Sequence, residues 1–250
     1  MYTKIKTADE IESMRVAGKM LATVLLDVKK YTRAGMSTKD LANHAADRLK
    51  VLGGKASFLG YQDFPDVICI SVNDEVVHGI PRTDKILEDG DIVSIDFGVT
   101  FNDMVTDAAL TFVLGTADPK ITKLINTTER SLMAGIDVIK AGVRVGDIAS
   151  AVQKVLDSGG YGIVQDLVGH GVGHYVHEGP DIPNYGHAGS GPVLLAGMTI
   201  AVEPMATLGD WQVTMDDDNW TIRTKDHSLA AHFEHTILIT EKGYEILTLA

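Results

Sequence analysis

Residues 90–111 read GDIVSIDFGVTFNDMVTDAALT, and this stretch decides the fold. Ile92 to Phe97 alternate as a half-buried strand does, and so do Val105 to Val113. Asn102-Asp103 between them is turn chemistry. The stretch therefore predicts a β-hairpin. Folded about the Phe101–Asn102 bond, it sets Asp96 directly opposite Asp107, where Cβ atoms lie roughly 4.5–5.5 Å apart on one sheet face. Two carboxylates that close repel, unless one keeps its proton or a divalent cation lies between them. Taken alone, the hairpin favours the plainer alternative, a bulge that turns one Asp to solvent.

Upstream, Thr7 and Glu10 form a capping box ahead of Ile11, Met14, Leu21, Val24, Leu25 and Val28, the pattern of an amphipathic helix. Ser37 and Asp40 cap a second helix carrying Leu41, Ala45 and Leu49, stopped by Gly53-Gly54. A strand, Val67 to Val72, and the loop His78-Gly79-Ile80-Pro81 lead into the hairpin. The second half repeats this order. Ala34-Gly35 and Asp40 return as Ala141-Gly142 and Asp147, Gly53 as Gly160, Gly90 as Gly197 and Asp96 as Glu203, all at an offset of 107. The His78 loop is echoed by His177-Glu178-Gly179-Pro180. Two units are too few for a solenoid. They predict one α/β domain over residues 1–250, built from pseudo-symmetric halves at about 8–115 and 116–250 around an antiparallel sheet.

The repeat strengthens the metal reading. A second hairpin, Met198–Thr207 against His232–Thr240, sets Glu203 opposite Glu234 when folded about the Asp218–Asn219 bond. Each half then offers an opposed carboxylate pair, and four converging acids cannot all ionise in a dry site without cations. The segment Gly169-His170-Gly171-Val172-Gly173-His174 has the spacing of a zinc helix, but its glycines oppose a helix and no HExxH glutamate is present. One histidine joining the four acids is the better expectation: Asp96, Asp107, His170, Glu203 and Glu234, with two divalent ions among Mn, Fe, Co and Zn. Such a pair generates a nucleophilic hydroxide from a bridging water. His78 and His177, symmetric in the repeat, suit donation to a carbonyl or its oxyanion. His44, His187 and His227 read as surface residues. His235 points away from the site, while His232 could line it behind the ligands.

The chain has a net charge of −12, which weighs against nucleic acid or an anionic membrane as partner. Cys69 is the only cysteine, so no internal disulfide forms. No apolar run reaches membrane-spanning length, and MYTKIKTADE lacks the apolar core of a secretion signal. A cytoplasmic protein is expected.

The five candidate ligands in that order, the His78–Pro81 loop, the Gly169–Glu178 segment and Val202-Glu203-Pro204-Met205 resemble type I methionine aminopeptidase over nearly the whole chain. The resemblance implies the pita-bread α/β fold and removal of the initiator methionine from nascent polypeptides when the next residue is small. It implies that Asp107 and Glu234 bridge two metals, that Glu203 doubles as general base, that His78 contacts the scissile amide nitrogen and that His177 polarises the carbonyl. It puts the methionine pocket on Tyr61, Phe64, Cys69 and Trp220. The chain looks like the short bacterial form, without the zinc-binding extension of eukaryotic members or the helical insertion of type II. Val176 stands where an aromatic is frequent, and His174 where Arg or Thr is usual. Tyr2 is too large for the family's rule, so Met1 should stay. A monomer is expected. The alternatives are an Xaa-Pro aminopeptidase of the same fold, whose relatives usually carry an additional N-terminal domain, and a non-catalytic relative that binds protein or RNA.

Overall fold

A computed structural model describes residues 3–250. The expectation about Met1 and Tyr2 lies outside the described residues. Four helices carry the outer layer: α1 (Ala8–Tyr31), α2 (Thr38–Leu52), α3 (Pro119–Asp137) and α4 (Val145–Gly159). The capping boxes of α1 and α2 form as expected, Thr7 with Glu10 and Ser37 with Asp40. Each box satisfies backbone donors that the first helical turn leaves free. None of these helices is long and apolar enough to cross a membrane.

The 107-residue offset is visible in the backbone. The bounds of α4 are those of α2 moved by 107. Gly35 N–H donates to the Leu87 carbonyl, and Gly142 N–H to Leu194, both at 2.8 Å. Gly35 and Gly142 sit at φ of 87° and 92°, a region in which a side chain would be strained. Each half has its own core. Leu21, Leu25, Leu41 and Phe97 close the first, and Leu132, Ile136, Ile148 and Ile200 the second.

The sheet layer is antiparallel throughout. In the first half, Ile92–Phe101 is the long central strand, flanked by Met104–Val113 on one side and by Cys69–Val72 with Lys55–Ala56 on the other. In the second, His235–Ile239, Thr199–Val202, Gly169–Gly171 and Glu178–Ile182 lie in that order, with Tyr244–Ile246 outermost. The halves meet where Ala109 and Glu234 exchange backbone hydrogen bonds, at 3.3 and 2.9 Å. Thr236 Oγ1 strengthens this seam. It accepts from the Asp107 N–H and donates to the Asp107 carbonyl.

The first hairpin corrects the expected register. Phe101 pairs with Met104, so the turn is centred on Asn102-Asp103 and not on the Phe101–Asn102 bond. Both turn residues have positive φ, 48° and 62°, the signature of the two-residue type I′ loop whose twist matches a hairpin. Asp96 therefore pairs with Ala109, and Asp107 with Gly98. The two acids become diagonal neighbours, yet alternation still keeps them on one face. The second hairpin holds the expected register: Val202 pairs with His235 and Met205 with His232, leaving Glu203 opposite Glu234.

α1 lies so close to the segment after the last strand that a Cβ on Gly18 would run into the Leu247 carbonyl. Gly18→Ala gains about 1 kcal/mol of helix propensity, but overpacking against backbone costs about 1–3 kcal/mol. The expected net result is a lower midpoint in urea unfolding, with the slope unchanged. A higher midpoint would show that this contact yields freely.

Candidate active site

One pit, of about 170 Å³, gathers the expected residues: Tyr61, Phe64, Cys69, His78, Asp96, Asp107, His170, His177, Glu203, Trp220 and Glu234 all line it. A wider groove of about 520 Å³ lies elsewhere, between α1 and α3, and presents none of the pit's histidines. The pit's acids come from both hairpins and from the seam. Asp96 and Asp107 stand on the first hairpin, and Glu203 and Glu234 on facing segments of the second. Donor atoms of Asp107, His170 and Glu234 lie within 4.8 Å of one another. Asp96 lines the same pit, close enough to Asp107 for the charge of one to raise the pKa of the other.

His170 is fixed from behind. Its Nδ1 lies 2.9 Å from the Gly171 carbonyl, so Nδ1 carries the proton and Nε2 is left bare, 3.4 Å from Glu203 Oε1. Burial, reinforced by His177, holds its pKa down at about 3. His78 is held at about 4, by burial first and by His177 second. His177 is lowered by burial. These imidazoles are neutral at neutral pH. Tyr61 Oη lies 2.9 Å from His177 Nδ1. With the phenol as donor, Nδ1 accepts and the ring proton lies on Nε2, free for a ligand.

The carboxyl groups shift the other way. Burial, then the charge of Asp107, raises Asp96 well above the carboxylate range. Glu203 and Glu234 are raised well above it by the same two causes in the same order. Burial pushes Asp107 up to about 7. Buried Asp96 Oδ1, Asp107 Oδ1 and Glu234 Oε1 have no hydrogen-bond partner among the described residues. Orphaned, oxygen-rich and joined by a bare imidazole nitrogen, this set fits divalent cations.

A pH dependence of the metal-free protein follows. The carboxyls titrate near 4 when unfolded and the histidines near 6.5. Between about pH 4 and 6.5 the two sets oppose, because folding raises the acids and lowers the histidines. Above about 6.5 the histidines are neutral in both states. The folded acids still hold protons that the unfolded chain has released, so stability falls as pH rises through their folded pKa values. In chelator, the melting temperature should drop from pH 6.5 to 8, and added Mn should restore it by more at pH 8 than at pH 6.5. A chelated protein whose melting temperature climbs across that window would contradict these shifts.

The apolar wall is a small core of its own. Phe64, Cys69, Val172 and Val176 are buried in it, with Tyr61 and Trp220 packed against them. Phe64 and Trp220 meet edge-on at 5.1 Å, and Trp220 stands edge-on to His78 at 6.0 Å. Burial, then Asp96, pushes the Cys69 thiol up, so it stays protonated and apolar. Phe58 and Gln62 also line the pit and escaped the sequence reading, because Phe58 lies in a bend and Gln62 in a single 3-10 turn, Tyr61–Asp63, both too short to show a period. Asn184 escaped it too. Its Nδ2 donates to the Glu203 carbonyl at 3.0 Å.

The two departures at positions 174 and 176 find definite neighbours. Val176 is buried in the apolar wall. His174 Nε2 meets Glu10 Oε1 at 2.8 Å, tying the loop before His177 to α1. Glu178, beside His177, accepts from the N–H groups of His174 and Tyr175 and pairs with buried Lys6 at 3.3 Å. Among the remaining histidines, His187 and His227 are exposed. His44 is half-buried and stacks on Tyr31 at 3.9 Å, which corrects its reading as a plain surface residue. His235 bonds Thr248, away from the pit.

Comparison with known proteins agrees with this geometry. The model of metallopeptidase family M24 matches residues 12–241. A methionine aminopeptidase of Clostridium acetobutylicum is 44% identical over 245 residues, covering 98% of each chain. The crystal structure of methionine aminopeptidase from Thermotoga maritima is 45% identical, covers 99% of this chain and 100% of its own, and superposes with a TM-score of 0.98. Prolidase from Pyrococcus furiosus, at 24% identity and a TM-score of 0.79, shares the fold; the match covers 98% of this chain and 65% of the prolidase. On this match the chain belongs to metallopeptidase family M24, and it is a peptide-bond hydrolase that uses divalent metal.

Proposed function

We propose that the protein, acting as one catalytic domain of two halves, removes methionine from the N-terminus of nascent proteins and peptides whose second residue is small. The observation that carries this reading is that the buried acids and a closed apolar wall share one pit. A thioether side chain suits a wall of aromatic and soft groups. The chain's net charge of −12 favours a substrate that carries a positive N-terminal ammonium.

Asp96, Asp107, His170, Glu203 and Glu234 would hold two divalent ions, drawn from Mn, Fe, Co and Zn. When bound, such ions polarise a carbonyl and lower the pKa of a coordinated water. The remaining work falls to the chain. Tyr61, Phe64, Cys69 and Trp220 take the methionine side chain and exclude water. Neutral His177, oriented by Tyr61, donates its Nε2 proton toward the scissile carbonyl, where charge develops as the carbon becomes tetrahedral. Glu203 accepts a proton from the attacking water and returns it to the leaving amine. His78 faces that amide nitrogen. The protein is read as a cytoplasmic monomer.

The test is hydrolysis of a Met-Ala-Ser peptide by protein loaded with Mn, Co, Fe or Zn. Release of free methionine, faster than any release from an Ala-Pro peptide, is the expected outcome. No turnover with any of these metals refutes the reading, and a preference for Ala-Pro replaces it with the Xaa-Pro alternative.

A further inference from the structure

His232 takes no part in the reading above. Its side chain is 1% exposed, and neither ring nitrogen has a hydrogen-bond partner among the described residues. A buried polar ring without a partner is costly and calls for an occupant the protein atoms do not supply. Thr111 clamps the backbone on either side of it: Thr111 Oγ1 donates to the His232 carbonyl at 2.6 Å and accepts from the His232 N–H at 2.9 Å. The ring is thus held in place, two residues before Glu234, and strand alternation gives both side chains one face.

What it faces is the metal site. His232 Nε2 lies 3.6 Å from Glu203 Oε2, too far for a hydrogen bond. On the other carboxylate oxygen, His170 Nε2 lies 3.4 Å away. Glu203 is therefore bracketed by two buried imidazole nitrogens. Two donors bound about 2.1 Å from one ion at tetrahedral angles stand about 3.4 Å apart, so both spacings are those of neighbouring ligands. The donor atoms of Glu203, His232 and Glu234 all lie within 4.8 Å of one another, as do those of Asp107, His170 and Glu234. Glu234 belongs to both groups, and each group holds one imidazole.

We propose that His232 is a sixth protein ligand of the metal centre, binding through Nε2 the cation that Glu203 and Glu234 hold. The proposal rests on the two-cation reading of the site. A second imidazole shifts the site's preference toward borderline ions such as Zn and Co and away from Mn.

Cobalt is the probe. X-ray absorption of the full chain with two equivalents of Co(II) counts bound imidazoles by their outer-shell scattering. Two imidazoles per cobalt pair are expected in the wild type and one in His232→Gln. In a titration followed by visible absorption, one of the two equivalents should weaken by at least about tenfold in the variant. One imidazole in the wild type overturns the proposal, and that measurement needs no variant to fold. Unchanged cobalt affinity in a folded His232→Gln overturns it as well. A wild type that binds no cobalt at all brings down the two-cation reading beneath it, a result distinct from either.

Discussion

Glu234→Gln should lose the metal and the activity together. Glu234 is the residue common to both donor groups of the pit. Loss of a partner that merely orients a ligand costs metal sites about 10- to 100-fold in affinity. Loss of a shared ligand should cost more than about a hundredfold, and hydrolysis of Met-Ala-Ser should vanish with it. The same substitution should raise the melting temperature of the chelated protein at pH 8. It removes one of four acids that burial raises, three of which the charge of Asp107 raises further. Calorimetric titration with Mn and thermal melts in chelator check both halves. A variant that binds Mn as the wild type does would remove Glu234 from the ligand set.

His177→Ala should give the opposite pattern, with metal kept and chemistry lost. His177 touches no acid of the metal group within ion-pair distance, while its ring packs 4.2 Å from His170 and is tethered by Tyr61. Its Nε2 proton has no assigned partner in the pit, which suits a donor waiting for a developing oxyanion. Removal of one such donor typically costs about 10²–10³ in kcat. The loss should appear in kcat and kcat/KM alike, as for an interaction made only in the transition state. Two bound cations and a kcat near wild type would assign the carbonyl to another group.

Much of this arrangement was legible in the residues because the chain states it twice. Glycines at positive φ punctuate both halves at the same offset, Gly35 with Gly142 and Gly53 with Gly160, and they carry Asp96 onto Glu203. The register of the second hairpin was legible because a single count runs through it, from Val202 with His235 out to Val213 with Thr224. The register of the first was misread by one residue on each strand. The type I′ turn forces φ above zero at both Asn102 and Asp103, which alternation of apolar residues does not reveal. The side-chain face survived the error because each strand pairing moved in step. Phe58, Gln62 and Asn184 were out of reach, since only tertiary packing brings them to the pit. The seam made by Ala109, Asp107, Glu234 and Thr236 was out of reach for the same reason, yet it sets two of the acids side by side.

The central claim is that side chains from both halves converge on a pair of dications. Anomalous diffraction from crystals of the full chain grown with Mn tests it most directly. The account predicts two peaks inside the pit, roughly 3.5–4 Å apart, among the side chains of Asp96, Asp107, His170, Glu203 and Glu234. Crystals whose only Mn peaks lie outside the pit, at saturating metal, would contradict it.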